Sequence, residues 1–327
     1  MAAHAAYYKL LPPRSSDACA PSAAFVTLVA NETYVPGALC LRSSLLRVGS
    51  RCPLILVVAD PLPEAAMAQL SAAFGERHIR RLSKLRERLD NYMIPPGRRL
   101  LERSTLRSTR QLTRSGGWAR RTHQKLLLFA LDGYRRSAFL DIDMLVARNV
   151  DALLDLEPFA AVAALPYATK SFNSGVFVFE PSLKDAAALD DLSRRATFAS
   201  PTRTALPAAQ GAPIRIKGAG EHIHLSDQSV LNHYFKGRWR QLPYGYNVGV
   251  KVRAANRKLW ARIEVAVVHY VPRPKPWEST LADPSSPMSK LALRIGIEPL
   301  TRAWRFHCVG GARGNDTMSA QDAALFA

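Results

Sequence analysis

Ala24-Phe-Val-Thr-Leu-Val-Ala30, the helically spaced run from Tyr34 to Val48, and Leu54-Ile-Leu-Val-Val-Ala59 together decide the fold class. Each apolar run has the length of a buried strand and is closed by a turn signal, Asn31-Glu-Thr33 in the first case and Asp60-Pro61 in the second. A second helix is expected over Glu64 to Phe74. Strand, helix, strand, helix in about fifty residues predicts an α/β fold with a mainly parallel central sheet and crossover helices. Such sheets bind ligands at the carboxyl ends of their strands.

Outward from that unit, residues 122–134 read as a helix with Lys125 among apolar neighbours, and Ser137 to Val146 as one strand interrupted by two acids. Phe159 to Leu165, Gly175 to Phe179 and Val265 to Tyr270 are further strands. Residues 185–196 and 227–235 are helical. The chain is expected to hold a flexible Ala/Pro/Ser-rich leader at 1–22, one domain over 23–308 and a weakly ordered tail at 309–327.

With 48% hydrophobic residues, 5 Trp, 10 Tyr and 12 Phe, the 327-residue chain is not globally disordered. Its net charge is +19, and more than half of that excess falls in one insert-like, Arg-rich stretch, 77–121. A basic excess of this size points to an anionic partner. None of Cys19, Cys40, Cys52 and Cys308 stands in a C-x-x-C pair, so neither a disulfide framework nor a zinc site is expected, and a reducing compartment is. No apolar run is long enough to span a membrane, and the N-terminus lacks a basic-then-apolar signal pattern. A cytoplasmic location is therefore expected; a chain trimmed from a membrane-anchored parent would instead be Golgi-associated.

The sharpest chemical feature is Asp141-Ile142-Asp143. On a strand the two carboxylates would share one face, at a cost in a core unless a cation offsets them. Hard divalent cations suit carboxylate oxygens. A bare D-x-D is more often a solvated strand end, but here the apolar run resumes at Met144-Leu-Val146. Other pieces are individually bland. Asn31 reads as a helix cap, Phe172-Asn-Ser-Gly-Val-Phe177 as a tight turn before a strand, Asp227-Gln228 as a helix start and Lys125 as a snorkelling lysine. His269 ends an apolar strand, with Lys275 six residues on in a Pro-stiffened loop. A histidine, a lysine and an acid pair make up the parts of a metal-and-diphosphate site.

In this order the motifs resemble glycogenin-like members of glycosyltransferase family 8. The resemblance runs over about residues 24–280. It rests on Phe25 to Tyr34 with Gly37, Thr122 to Lys125, Phe139 to Val146, Phe172 to Phe177, Asp227 to Asn232, Leu242 to Asn247 and His269 to Trp277. It implies a GT-A fold and a retaining hexosyl transfer from a UDP-sugar to a carbohydrate, polyol, lipid or protein acceptor, with Mn²⁺ (or Mg²⁺) as cofactor and a homodimer as one assembly. Carried over residue by residue, Asp141, Asp143 and His269 match metal ligands. Leu28, Asn31 and Tyr34 match positions around uracil and ribose, with Ile142 beside them in the D-x-D. Lys125 and Lys275 match residues reaching the sugar and the diphosphate. Asn173, Ser174, Gly175, Asp227 and Gln228 match the sugar and acceptor pocket.

The chain departs from the family pattern in four places. Pro272 replaces a glycine before Lys275, and a proline has no N–H to offer a phosphate, so either Arg273 substitutes for that contact or the diphosphate binds more weakly. His224 replaces an acid, the stretch Val248 to Asn256 holds no tyrosine for self-glycosylation, and the Arg-rich segment is longer and more basic than the family needs. Nucleic-acid binding through 77–121 would explain the charge but none of the ordered motifs. A non-catalytic nucleotide-sugar binder on the same fold is the third reading.

Overall fold

The computed structural model describes residues 7–14, 18–93, 124–164, 170–197, 215–216, 226–271, 273, 275–278, 290 and 298–308. β1 (Ala23–Val29) leads through a 3-10 turn (Glu32–Tyr34) into α1 (Val35–Arg47), β2 (Leu54–Val58), α2 (Glu64–Phe74), β3 (Ile79–Arg81) and α3 (Leu82–Met93). After a 3-10 segment at Gln124–Ala130 come β4 (Arg136–Leu140), β5 (Met144–Val146), β6 (Ala160–Ala163), β7 (Phe172–Phe179), α4 (Leu183–Arg195), β8 (Ala196–Thr197) and β9 (Arg215–Ile216). The chain continues with α5 (Asp227–Tyr234), β10 (Arg240–Leu242), β11 (Val248–Gly249), α6 (Lys251–Ala255), α7 (Arg257–Trp260), β12 (Val267–His269) and α8 (Glu298–Cys308).

Seven strands form the main sheet in the order β10-β6-β7-β4-β1-β2-β3. The β4-β1-β2-β3 half is all parallel, and β7 runs antiparallel to both its neighbours. β1 and β2 are buried along their whole length because both sheet faces are covered. Alternation sends Phe25, Val29, Leu56 and Val58 into a cluster with Ala38, Leu41 and Leu45 of α1. Val26, Leu28, Ile55 and Val57 face the other way, toward Leu128, Phe129, Leu189 and Leu231. A smaller sheet, β11-β12-β5, lies beyond the carboxyl end of β4.

Four expectations change. Ser137 to Val146 is not one strand: β4 stays in the large sheet, residues 141–143 turn, and β5 joins the small sheet antiparallel to β12. The turn brings the two carboxylates to Lys125, His269 and Lys275 instead of leaving them among apolar side chains, which a straight buried strand would not allow. The segment read as a helix at 122–134 holds a 3-10 stretch, Gln124–Ala130, in which Lys125 through Ala130 are all buried; residues 122–123 lie outside the described residues. Asn173 and Ser174 do not precede the strand expected from Gly175 but lie, with it, inside β7.

The fourth concerns the N-terminus and the cysteines. Residues 7–14, expected as part of a flexible leader, are seated on the core. Tyr8 is buried, the Leu10 N–H donates to Glu264 Oε2 at 2.8 Å and the Leu11 N–H to the Tyr246 hydroxyl at 3.2 Å. All four cysteines are paired: Cys19 with Cys52, Cα atoms 5.1 Å apart, and Cys40 with Cys308, 4.8 Å apart. The second pair spans 268 residues of sequence and joins α1 to α8, a proximity no local spacing could announce. The tail at 309–327 and most of the Arg-rich segment lie outside the described residues.

Candidate active site

The turn at Asp141-Ile142-Asp143 sits where two sheets meet, and strand register brings its partners to it. On one side the Asp141 N–H donates to the Gly175 carbonyl of β7 at 2.9 Å. On the other, β12 pairs His269 with Met144, and the Tyr270 N–H donates to the Asp143 carbonyl at 2.9 Å. Ile142 is buried in the core and anchors the turn from beneath. Its carbonyl would lie 2.7 Å from any Cβ at position 37, so α1 approaches this closely only because residue 37 is glycine.

One ligand atom each from Asp141, Asp143 and His269 falls within 4.8 Å of the others. His269 Nε2 lies 3.2 Å from Asp143 Oδ1 and 3.9 Å from Asp141 Oδ2, while its Nδ1 is 2.8 Å from Asn247 Oδ1. Two carboxylates and an imidazole suit a hard to borderline divalent cation, so the residues present fit the metal that the sequence suggests.

Two lysines frame the acids. Lys125 Nζ donates to Asp141 Oδ2 at 3.1 Å and to the Ser174 carbonyl at 3.2 Å, pairs with Asp227 Oδ2 at 2.9 Å, and lies 4.7 Å from the centre of the Phe139 ring. Lys275 Nζ donates to Asp143 Oδ2 at 2.6 Å and to the carbonyls of Tyr270 and Val271. Burial opposes the charge of Lys125, but Asp141 and Asp227 outweigh it and push its pKa up. Burial likewise opposes ionisation of Asp143, yet His269 and Lys275 hold its carboxyl well below the usual range. For Asp141 burial raises the pKa, Lys125 opposes the rise and the neighbouring Asp143 adds to it. The two acids are thus driven apart, as close carboxylates are.

The residues expected around the sugar meet across β7 and the start of α5. Asn232 of α5 accepts from the Phe172 N–H at 2.8 Å and donates to the Phe172 carbonyl at 2.8 Å, acting as a strand neighbour and docking the helix on β7. Ser226 caps the helix by accepting from the Ser229 N–H. Asp227 Oδ2 then accepts from the Ser174 hydroxyl at 2.7 Å, and Gln228 Oε1 accepts from Asn173 Nδ2 at 3.1 Å and the Ser174 N–H at 3.3 Å.

The expected base and ribose positions are less concentrated. Asn31 caps the 3-10 turn by accepting from the Thr33 N–H, the bland role foreseen for it. Leu28 is packed in the core opposite α1. Tyr34 meets the Trp277 ring edge-on at 5.8 Å, and Trp277 in turn meets Trp304 of α8 at 5.6 Å. Arg273 is turned onto Glu278, while Pro272 and His224 lie outside the described residues. Sequence reading passed over Asn247, Asn232 and Trp277 as site residues although each stands in a motif; only their contacts reveal them.

Comparison with known proteins converges on the same picture. The family described as Glycosyl transferase family 8 matches residues 25–196 and 208–281. Glycogenin-1 of Caenorhabditis elegans is 27% identical over 277 residues, 80% of this chain and 52% of that protein. Galactinol synthase 1 of Solanum lycopersicum is 26% identical over 290 residues, 79% of this chain and 75% of that protein. This chain thus spans about half the length of its worm relative. Among solved structures, an active-site mutant of LgtC superposes with a TM-score of 0.50 at 17% identity, over 83% of this chain and 95% of that one, which shows the GT-A fold. With a family match over most of its length and that family's motifs gathered at one strand junction, the chain belongs to glycosyltransferase family 8.

Proposed function

We propose that the protein is a metal-dependent, retaining glycosyltransferase that moves a hexosyl group from a UDP-sugar to an acceptor hydroxyl. The observation that carries the reading is the gathering of one ligand atom each from Asp141, Asp143 and His269 within 4.8 Å, beside an Asp227 that Lys125 ties to Asp141 and a Gln228 bonded to Asn173. In the reaction the bond from the anomeric carbon to the diphosphate oxygen breaks with its electron pair on the diphosphate. The acceptor oxygen bonds to that carbon on the same face and gives its proton to the departing diphosphate oxygen. Asp141, Asp143 and His269 would hold Mn²⁺ or Mg²⁺, which supplies Lewis-acid stabilisation of the departing diphosphate.

The chain's own residues do the rest. Lys275 places a buried ammonium beside Asp143, where leaving-group charge develops. Lys125 clamps Asp141 and Asp227, fixing the distance between the metal side and the sugar side. Asp227 brings negative charge to the face where the sugar carbon becomes oxocarbenium-like. Asn173, Ser174 and Gln228 form a hydrogen-bonded wall that orients the sugar hydroxyls.

A panel of UDP-sugars with Mn²⁺, read by UDP release, tests this. At least one donor should turn over, EDTA should abolish the turnover, and Asp143→Ala should reduce it to background. Turnover that survives both EDTA and Asp143→Ala overturns the mechanism. UDP-sugar binding without turnover of any donor identifies a non-catalytic binder instead.

A further inference from the structure

Asn247, one residue ahead of β11, is buried and its side-chain amide spans from Asn173 to His269. The two ends of an amide are told apart by what faces them. A backbone N–H can only donate, and here two of them set the orientation. The Gly175 N–H lies 2.8 Å from one end of the Asn173 amide, which is therefore the carbonyl. The Ser174 N–H lies 3.3 Å from Gln228 Oε1, and the other end of Asn173, its NH₂, donates to that same oxygen at 3.1 Å. Both donors agree on how Asn173 points.

The orientation then propagates. Asn247 lies 2.8 Å from Asn173 Oδ1 and so presents its NH₂ there, which leaves its carbonyl 2.8 Å from His269 Nδ1. A carbonyl only accepts, so Nδ1 carries the proton. With Nδ1 so held, Nε2 is the nitrogen whose proton can be given up: protonated, it faces Asp143 Oδ1 at 3.2 Å as a donor, and in the neutral ring it is left with a lone pair toward Asp143 and Asp141 Oδ2, the latter at 3.9 Å.

We infer that Asn247, with Asn173 behind it, is a positioning residue: two backbone N–H groups of β7 set, through two side-chain amides, the tautomer in which His269 turns its Nε2 lone pair toward the two acids. The inference rests on the reading that these three residues hold a divalent cation. Gly175 enters twice. Its N–H starts the relay, and its missing side chain makes room for the ring, since a Cβ there would lie 2.6 Å from His269 Cε1. The same residues form the sugar-side wall through Gln228, so the relay joins metal ligand and sugar pocket in one rigid network.

Ring-¹⁵N histidine labelling of the metal-free protein tests this without turnover. Of the 8 histidines, His269 is assigned by the signal lost in His269→Gln. At a pH where the ring is neutral, its proton should sit on Nδ1. Asn247→Leu should shift it toward Nε2 and weaken Mn²⁺ binding, read by electron paramagnetic resonance of free Mn²⁺, by about 10-fold to 100-fold. Asn173→Asp keeps the oxygen that accepts from Gly175 and Asn247 and should keep the Nδ1 proton. A wild-type ring protonated at Nε2, or an Asn247→Leu protein with unchanged tautomer and affinity, overturns the inference, as does loss of the Nδ1 proton in Asn173→Asp. An Nδ1 proton in a protein that binds no Mn²⁺ upholds the relay and overturns the metal reading.

Discussion

A methyl group at position 175 would stand 2.6 Å from His269 Cε1 and 2.8 Å from Asn173 Oδ1, inside van der Waals contact on both sides. Neither neighbour can yield without giving up a hydrogen bond, because the imidazole is held by Asn247 and the amide by the Gly175 and Asn247 donors. Gly175→Ala should therefore push the imidazole off the acids. The expected result is a 10-fold to 100-fold loss of Mn²⁺ affinity with a stability cost of about 1–3 kcal/mol, measured by Mn²⁺ titration and denaturant midpoint. An alanine variant with native Mn²⁺ affinity would show that the ring has slack. At this scale the sequence was partly legible. Aspartates around an apolar residue, a histidine at a strand end and a glycine near small polar residues were all visible as types. What sequence spacing left out is that Lys125 answers Asp141 and Asp227 together while Lys275 answers Asp143, because those pairings form across the β4–β5 turn.

Elements are legible where burial alone decides them. β1 and β2 were readable as strands because both of their faces are covered, so every position is apolar or small. The break between β4 and β5 was not, since a change of hydrogen-bond partner from one sheet to another leaves no local period. The C-terminal helix escaped for a related reason: α8 is defined by what it braces. Trp304 is buried against Trp277, Tyr270 donates its hydroxyl to the Leu300 carbonyl at 2.6 Å, and Lys275 sits in the same loop as Trp277. Removing the Trp304 ring takes away the floor under the Lys275 loop. Trp304→Ala should cost about 3–5 kcal/mol in a chemical denaturation experiment and raise the donor KM more than it lowers kcat. A variant with weakened stability but native donor KM would confine α8 to a folding role.

At the scale of the whole molecule, the +19 charge is unevenly used. Part of the basic α3 is already neutralised by neighbours: Lys84 pairs with Glu87, and Arg86 with Asp190. The acids of the site are likewise balanced by Lys125 and Lys275, so the local chemistry does not draw on the excess. What a surplus of positive charge does at a distance is attract an anion, and a nucleotide-sugar diphosphate is one. Such attraction acts through solvent, so salt suppresses it, the screening length falling from about 10 Å at 0.1 M to about 3 Å at 1 M. Contacts formed after capture lie in the buried site and are screened far less. Raising salt across that range should therefore lower kcat/KM for the donor by roughly tenfold while leaving kcat nearly constant. Changing Arg98, Arg99, Arg103 and Arg107 together to Gln should flatten that salt dependence and lower the low-salt kcat/KM toward the high-salt value. An unchanged slope in the quadruple variant would show that donor capture does not use this charge. A slope retained for the acceptor but not the donor would assign the basic segment to an anionic acceptor.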